Sequence, residues 1–305
     1  REAVEHLARA VGVAKRSMVE PPSSLYRSRG HAYQLLGEFD FAHTDLQAAL
    51  TVARSEGDRR GEWQALLDLG ELWASRDYDQ TGNVSDFINT GFTYFTGTAA
   101  FMDFEVMVGN GVFVPRPETQ ALVEAAITHA QSIAVGDSGL HIADLCSGSG
   151  VVALSLARAV PHAHVVAVEA SDQAMPYLTR NVNDLAPDVE VVQAPVEELD
   201  RAPGRFDMIL ANPPYVPVSE VPNEPEVAHF DPPMALFGGE DGLDTVREIV
   251  GYALATLRPG GYLAIDHSNL QGPALRELLQ GAGFFGVETE EDFVGRERFT
   301  RGFRP

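Results

Sequence analysis

The sequence predicts an α/β protein, a doubly wound sheet preceded by a small all-helical segment. Three observations carry this. Short apolar runs alternate with helical stretches from about residue 140 onward, the pattern of buried parallel strands joined by crossover helices. A glycine-rich turn, Asp144-Leu-Cys-Ser-Gly-Ser-Gly150, stands where the first of those strands ends and a helix begins. Residues 1–90 have a different texture, with large apolar residues at helical spacing.

In the helical segment, Phe39, Ala42, Leu46, Ala49 and Leu50 share one helical face, and Trp63, Leu66, Leu67, Leu69 and Trp73 repeat the theme. Gly30 and Gly70 are 40 residues apart, as are Tyr33 and Trp73. That period is compatible with tetratricopeptide-type hairpins, and two units are fewer than an array normally needs. A plain helical cap explains the same residues equally well. The polar stretch over 77–92 reads as a linker, so the expected domains are 1–90 and 91–305. The chain opens on Arg1 rather than Met, as a fragment would.

Strands are expected at His141–Leu145, His164–Val168, Val189–Gln193, Phe206–Ala211, Gly261–Asp266 and Phe284–Glu288. Helices are expected at Glu118–Ile133, Gly150–Ala159, Ser171–Leu185, Gly242–Leu257 and Pro273–Gly281. Ahead of the sheet, Gly109-Asn-Gly111 between Phe101–Val108 and Val112–Val114 predicts the turn of a hairpin.

Composition bounds the function. The 305 residues are 45% hydrophobic and 22% charged, which is globular rather than disordered. No apolar run approaches the ~18 residues a membrane span needs. A single cysteine, Cys146, excludes an intramolecular disulfide and a cysteine-rich metal site. These features predict a soluble, cytoplasmic protein. The net charge is −22, with about −4 in residues 1–90 and −18 in the rest. A face that grips duplex nucleic acid must be basic, so a direct nucleic-acid partner is not expected.

The chemistry lies in two motifs. Glycines in the turn at 144–150 let a ligand approach the backbone, and the helix start offers free N–H groups. Glu169 ends the next strand, where a carboxylate can accept two hydrogen bonds from a ribose diol. The third glycine of a dinucleotide fingerprint is replaced by Ala153, and Asp144 precedes the turn. An acid there can face a cationic amino group, which suits S-adenosylmethionine better than NAD. The predicted cofactor residues are Asp144, Leu145, Cys146, Ser147, Gly148, Gly150, Glu169 and Asn212. Cys146, inside the turn, reads as a packing residue.

The second motif, Asn212-Pro-Pro-Tyr215, follows the strand Phe206–Ala211 and would face the same crevice beyond the carboxyl ends of the strands. The Asn212 side-chain oxygen and the Pro213 carbonyl can each accept a hydrogen bond from one planar –NH2 group. Pro213 and Pro214 stiffen the loop, and Tyr215 can stack on the group that carries the nitrogen. His162 and His164, without carboxylate partners, do not make a metal site, and no metal is expected. His267 would border the crevice. The acidic run Glu220–Glu226 reads as a solvated face able to attract a basic protein.

Asn-Pro-Pro-Tyr at this place resembles the signature of methyltransferases acting on planar amino or amide nitrogens. Phe113-Val-Pro-Arg-Pro-Glu-Thr119 resembles a signature of the HemK family, the release factor glutamine methyltransferases. Asp231-Pro-Pro-Met-Ala-Leu-Phe-Gly-Gly-Glu-Asp-Gly-Leu243, Asp266-His-Ser-Asn-Leu-Gln-Gly272 and Asp292-Phe-Val-Gly-Arg-Glu-Arg298 are similar to three further segments of that family. The resemblance covers about residues 95–305. It implies a seven-stranded S-adenosylmethionine-dependent methyltransferase fold. It also implies transfer of a methyl group to a glutamine side-chain amide, in the Gly-Gly-Gln loop of a peptide chain release factor. It further implies that Asn212, Pro213, Pro214 and Tyr215 bind the amide, with Arg116, Glu118 and Thr119 in the site wall. Two departures stand out. The acid that usually follows strand three near the adenine is absent from Val192-Gln-Ala-Pro195, and the strand-five acid is Asp266 rather than Glu. Residues 1–90 do not match the family's helical pattern. On the residues alone, a nucleic-acid amino methyltransferase and a degenerate methyltransferase domain used as a scaffold remain alternatives.

Overall fold

A computed structural model describes residues 2–17, 20–74, 93, 96–133, 139–220 and 231–305. These residues fall into two compact units divided between Thr96 and Gly97. The linker expected over 77–92 lies outside the described residues, as do Tyr78, the side chain of Trp73 and most of the acidic run after Glu220.

The first unit holds four helices: α1 (Glu2–Arg16), α2 (Ser23–Leu35), α3 (Phe39–Glu56) and α4 (Arg59–Ala74). Val11, Tyr26, Leu46, Leu50, Leu66 and Leu69 belong to its core; Leu46, Leu50, Leu66 and Leu69 lie on the faces expected from the spacing, and Leu67 is not part of that core. Polar links tie α2 to both later helices. Arg29 donates twice to Asp45 on α3, at 2.6 Å each, and Arg27 pairs with Asp68 on α4 at 2.5 Å. The return of α4 to α2 is how stacked helical hairpins pack. The four described helices make two such hairpins, fewer than a repeat array normally needs.

The second unit opens with a hairpin of β1 (Thr98–Phe101) and β2 (Phe104–Met107), paired Phe101 to Phe104. Its turn is Met102-Asp103, with Met102 at φ 50°. The hairpin expected around Gly109-Asn-Gly111 is therefore corrected. Those glycines serve close packing instead: a Cβ on Gly109 would lie 2.3 Å from the Tyr177 hydroxyl, and one on Gly111 2.5 Å from Gln173 Cβ.

Beyond the hairpin come α5 (Thr119–Ser132), β3 (His141–Leu145), α6 (Val151–Ala159), β4 (His164–Glu169), α7 (Met175–Leu185), β5 (Glu190–Gln193) and β6 (Phe206–Ala211). They are followed by α8 (Pro233–Leu236), α9 (Asp244–Thr256), β7 (Leu257–Asp266), α10 (Gly272–Gly281), β8 (Phe285–Glu291) and β9 (Glu297–Phe303). The seven-stranded sheet has the order β5-β4-β3-β6-β7-β9-β8. The first five strands are parallel, and β9 runs antiparallel between β7 and β8. All six expected strands are present, and β9 is an addition. The strand order reverses between β4-β3 and β6, which opens a crevice beyond their carboxyl ends.

Period-two alternation divides the sheet's residues between its faces. Ala143, Leu145, Ile209 and Ala211 join Val246, Ile249 and Val250 of α9 and Leu275 and Leu279 of α10 in one core. Asp144 points the other way, toward α6. Helix starts follow the expected signals: Pro176 and Pro273 lie in the first turns of α7 and α10, and Asp244 gives α9 an acidic first turn.

Candidate active site

After β3 the backbone turns sharply, with Cys146 at φ 61°, Gly148 at φ 57° and Gly150 at φ 93°. Ser147 N–H donates to the Val168 carbonyl at 2.9 Å, fixing the turn to β4, and α6 begins at Val151. Gly150 cannot be replaced without strain: its φ disfavours a side chain, and a Cβ would lie 2.8 Å from Leu178 Cδ1. Asn181 of α7 braces the turn from behind. It accepts from Met107 N–H at 2.7 Å and donates to the carbonyls of Met107 and Ser149 at 3.0 and 2.9 Å.

Two carboxylates flank the turn. Asp144 is 1% exposed; its Oδ2 accepts the Ala153 N–H at 3.1 Å, while its Oδ1 is buried with no hydrogen-bond partner. Burial pushes its carboxyl up to about 7, opposed by the bonds it does make. Glu169 accepts from Gly148 N–H and from Ser171 N–H, one on each oxygen, both at 2.7 Å. Each of those oxygens keeps lone-pair capacity for a further donor. A Cβ on Gly148 would meet nothing within 4 Å, so the turn borders open space. An orphaned buried acceptor, a diol-binding carboxylate and an open glycine turn together fit a cationic nucleoside such as S-adenosylmethionine. Leu145 has its side chain wholly in the core. The Cys146 thiol is pushed upward by burial, with Glu169 and Asp144 adding to the effect, so it is no thiolate nucleophile.

β6 lies beside β3 in register Leu145 to Ala211, which brings Asn212 next to the cofactor turn. Asn212 Nδ2 donates to Thr119 Oγ1 at 3.2 Å. The rest of the tetrad is clamped. Gln271 Nε2 donates to the Tyr215 carbonyl at 2.9 Å, and Arg298 donates to the Tyr215 hydroxyl at 2.9 Å. The Arg298 guanidinium carbon also lies 5.7 Å from the Tyr215 ring centroid. Burial pushes the Tyr215 phenol up to about 12, so it stays neutral. Val216 and Val218 exchange backbone hydrogen bonds with Leu236, Gly238 and Gly239 at 2.8–2.9 Å. That approach explains the glycines of the 231–243 segment. A Cβ on Gly238 would lie 2.4 Å from the Pro214 carbonyl oxygen, and one on Gly242 2.2 Å from that of Tyr215.

Arg298, on β9, joins the separate motifs. Its Nε lies 3.4 Å from Asp266 Oδ1 and its Nη2 4.0 Å from Glu118 Oε1. Asp266 is fully buried; burial pushes it up to about 7, opposed by the Arg298 charge and the Thr119 hydroxyl. Asn212, Tyr215, Thr119 and Glu118 are thus brought together. Arg298, Asp266 and Gln271 lie in the segments that resemble the family's; their part follows from strand pairings that local pattern does not reveal.

Arg116 has a partner that the site-wall expectation did not include. Its Nη2 pairs with Asp231, and its guanidinium covers the Phe113 ring at 5.1 Å. Asp231 also accepts from Val114 N–H at 3.5 Å. The arginine therefore fastens the 113–117 stretch to the segment beginning at Asp231. Burial pushes the Asp231 carboxyl up to about 6, and Arg116 opposes this.

His267 is 0% exposed, with Nδ1 2.7 Å from the Ser268 carbonyl and Nε2 2.8 Å from Thr300 Oγ1. A carbonyl only accepts, so Nδ1 carries the proton and Nε2 accepts from Thr300. Thr289 then donates to Thr300 and receives from Arg276, at 2.9 and 2.6 Å. Burial pulls the imidazole down to about 4. It is a neutral structural histidine. His164 stacks on His141, with centroids 4.8 Å apart.

Comparison with known proteins places the chain among methyltransferases. A family model described as the methyltransferase small domain matches residues 117–230. The chain is 35% identical to a release factor glutamine methyltransferase of Mycobacterium leprae over 287 residues, covering 92% of this chain and 96% of that one. It is 40% identical to the enzyme of the same name from Mycolicibacterium smegmatis, covering 69% of this chain and 74% of the relative. The first match leaves only about 24 of the 305 residues outside it, so it runs through most of the helical unit that the motifs did not reach. Among solved structures, the chain is similar to a 16S rRNA N2 G1207 methyltransferase of T. thermophilus in complex with AdoMet and guanosine. That likeness has 23% identity and a TM-score of 0.48, covering 68% of this chain and 50% of that one. With near-complete coverage of a relative at this identity, the chain belongs to the release factor glutamine methyltransferase family.

Proposed function

We propose that the protein transfers a methyl group from S-adenosylmethionine to the side-chain amide nitrogen of the glutamine in the Gly-Gly-Gln loop of a peptide chain release factor, in the cytoplasm. The observation that carries this is the placement of Asn212, fixed through its Nδ2 by Thr119, directly beside the Asp144–Gly150 turn.

S-adenosylmethionine supplies a methyl group already activated on a sulfonium. Asp144 neutralises the ligand's positive charge with its orphaned Oδ1, and Glu169 receives the ribose hydroxyls. An amide nitrogen is a poor nucleophile because its lone pair is delocalised, so the protein's task is alignment. Asn212 Oδ1 and the Pro213 carbonyl accept the two amide hydrogens and aim the nitrogen at the methyl. The same acceptors favour the positive charge that grows on nitrogen in the transition state. Pro214 and Tyr215, clamped by Gln271, Arg298 and Gly238, hold that pair in place and give the amide plane a surface to lie on. No base acts before transfer; the nitrogen's proton leaves to solvent afterwards.

The helical segment of about residues 1–90 contributes to recognition of the protein substrate, and the acidic surface favours a basic face on it. Among the described residues no helix is long and apolar enough to cross a membrane. The test is methylation of a full-length bacterial release factor with labelled S-adenosylmethionine, read by peptide mass spectrometry. One methyl on the Gly-Gly-Gln glutamine is expected. Methyl transfer to RNA or DNA in its place, or cofactor binding with no transfer to the factor, overturns the assignment.

A further inference from the structure

Resting on the reading of Asn212 as the amide acceptor, we infer that Thr119 is a positioning residue whose hydroxyl, oriented by Asp266 and Arg298, selects the Asn212 rotamer that turns Oδ1 toward the substrate. A planar side-chain amide has two orientations related by a half-turn. One offers the substrate –NH2 an acceptor, and the other opposes it with a second –NH2. Asn212 Nδ2 donates to Thr119 Oγ1 at 3.2 Å, which is the orientation that leaves Oδ1 free.

A hydroxyl alone does not enforce that choice, because it can accept from Nδ2 or donate to Oδ1 with equal ease. The environment of Thr119 removes the ambiguity. Thr119 is 2% exposed, so water does not compete for its proton. Its hydroxyl faces Asp266, both of whose oxygens are buried and have no hydrogen-bond partner of strict geometry. An ionised carboxylate only accepts. Above about pH 7, where Asp266 is ionised, the Thr119 proton points to it, and the Thr119 lone pairs are left for the Asn212 –NH2. The Arg298 Nε at 3.4 Å favours the ionised Asp266, and Arg298 is itself held by the Tyr215 hydroxyl and by Glu118. The order Arg298, Asp266, Thr119, Asn212 thus converts a fixed positive charge into a fixed direction of one amide. It also explains why residues from α5, β7 and β9 meet behind the Asn-Pro-Pro-Tyr loop.

The test is a set of three variants, Thr119→Val, Thr119→Ser and Asn212→Ala, with the Thr119→Val/Asn212→Ala double variant, assayed on a full-length bacterial release factor. Valine keeps the volume and removes the hydroxyl. It is expected to lower kcat about 10- to 100-fold while S-adenosylmethionine affinity and melting temperature stay near those of the parent. Serine is expected to recover kcat to within about threefold, and the double variant to be no slower than Asn212→Ala, because Thr119 acts only through Asn212. Parental kcat in Thr119→Val alongside an impaired Asn212→Ala overturns the inference. So does multiplication of the two losses, which marks an independent or merely structural role. Parental activity of Asn212→Ala overturns instead the reading of Asn212 on which the inference rests.

Discussion

Cofactor affinity is expected to weaken as pH falls through 7, because of one atom. Asp144 Oδ1 is buried without a hydrogen-bond partner, and burial pushes its carboxyl up to about 7, far above the ordinary value of 3.8. A cationic ligand needs the ionised form. In the free protein that form is the minor one below about pH 7, and ligand binding must then expel a proton. With one group titrating at about 7, apparent affinity is reduced about 1.3-fold at pH 7.5 and about 30-fold at pH 5.5. The difference is roughly 2 kcal/mol. Isothermal titration of S-adenosylmethionine at pH 7.5, 6.5 and 5.5, in two buffers of different ionisation enthalpy, measures both the affinity and the protons released. Nearly one proton is expected at pH 5.5 and about a quarter at pH 7.5. Asp144→Asn should bind more weakly at pH 7.5 and lose the slope. An affinity independent of pH in the parent protein, or the same slope in Asp144→Asn, refutes the reasoning.

Two other predictions concern the supports of the site. Gly238→Ala places a methyl 2.4 Å from the Pro214 carbonyl oxygen, a backbone atom that cannot yield cheaply. It should cost on the order of 1–3 kcal/mol in thermal or denaturant unfolding and lower kcat with S-adenosylmethionine affinity retained; a parental kcat contradicts the clamp. His267, drawn down to about 4 by burial, should stay neutral in an NMR titration from pH 8 to pH 5, and normal titration near 6.5 contradicts the structural role. Its unfolded form protonates first, so its contribution is fully present above about pH 6.5. That contribution is lost as pH falls toward 4, up to about 3 kcal/mol.

The parts of the fold legible in the sequence are those with local causes. The runs at 141–145, 164–168 and 206–211 are too apolar for anything but buried strands, and the turns after them carry glycine, acid or proline for reasons each segment states alone. The hairpin turn was misplaced because Gly109 and Gly111 look like hairpin glycines. Their actual constraint is Tyr177 and Gln173, some 65 residues away and invisible to local pattern. β9 escaped because its mixed residues, Glu297 to Phe303, have no clean alternation, and its place between β7 and β8 follows from long-range pairing. The same non-locality hid Arg298, which reaches Tyr215 from 83 positions along the chain. It also hid the pairing of Arg116 with Asp231, 115 residues on.

The most direct test of the account is peptide mass spectrometry of a full-length bacterial release factor after incubation with S-adenosylmethionine and either the parent protein or Asn212→Ala. The account predicts one added methyl on the Gly-Gly-Gln glutamine with the parent. It predicts a rate about 2–4 kcal/mol poorer with Asn212→Ala, at unchanged cofactor affinity. Equal methylation by both proteins would contradict the role given to Asn212, and methylation of any other residue would contradict the substrate.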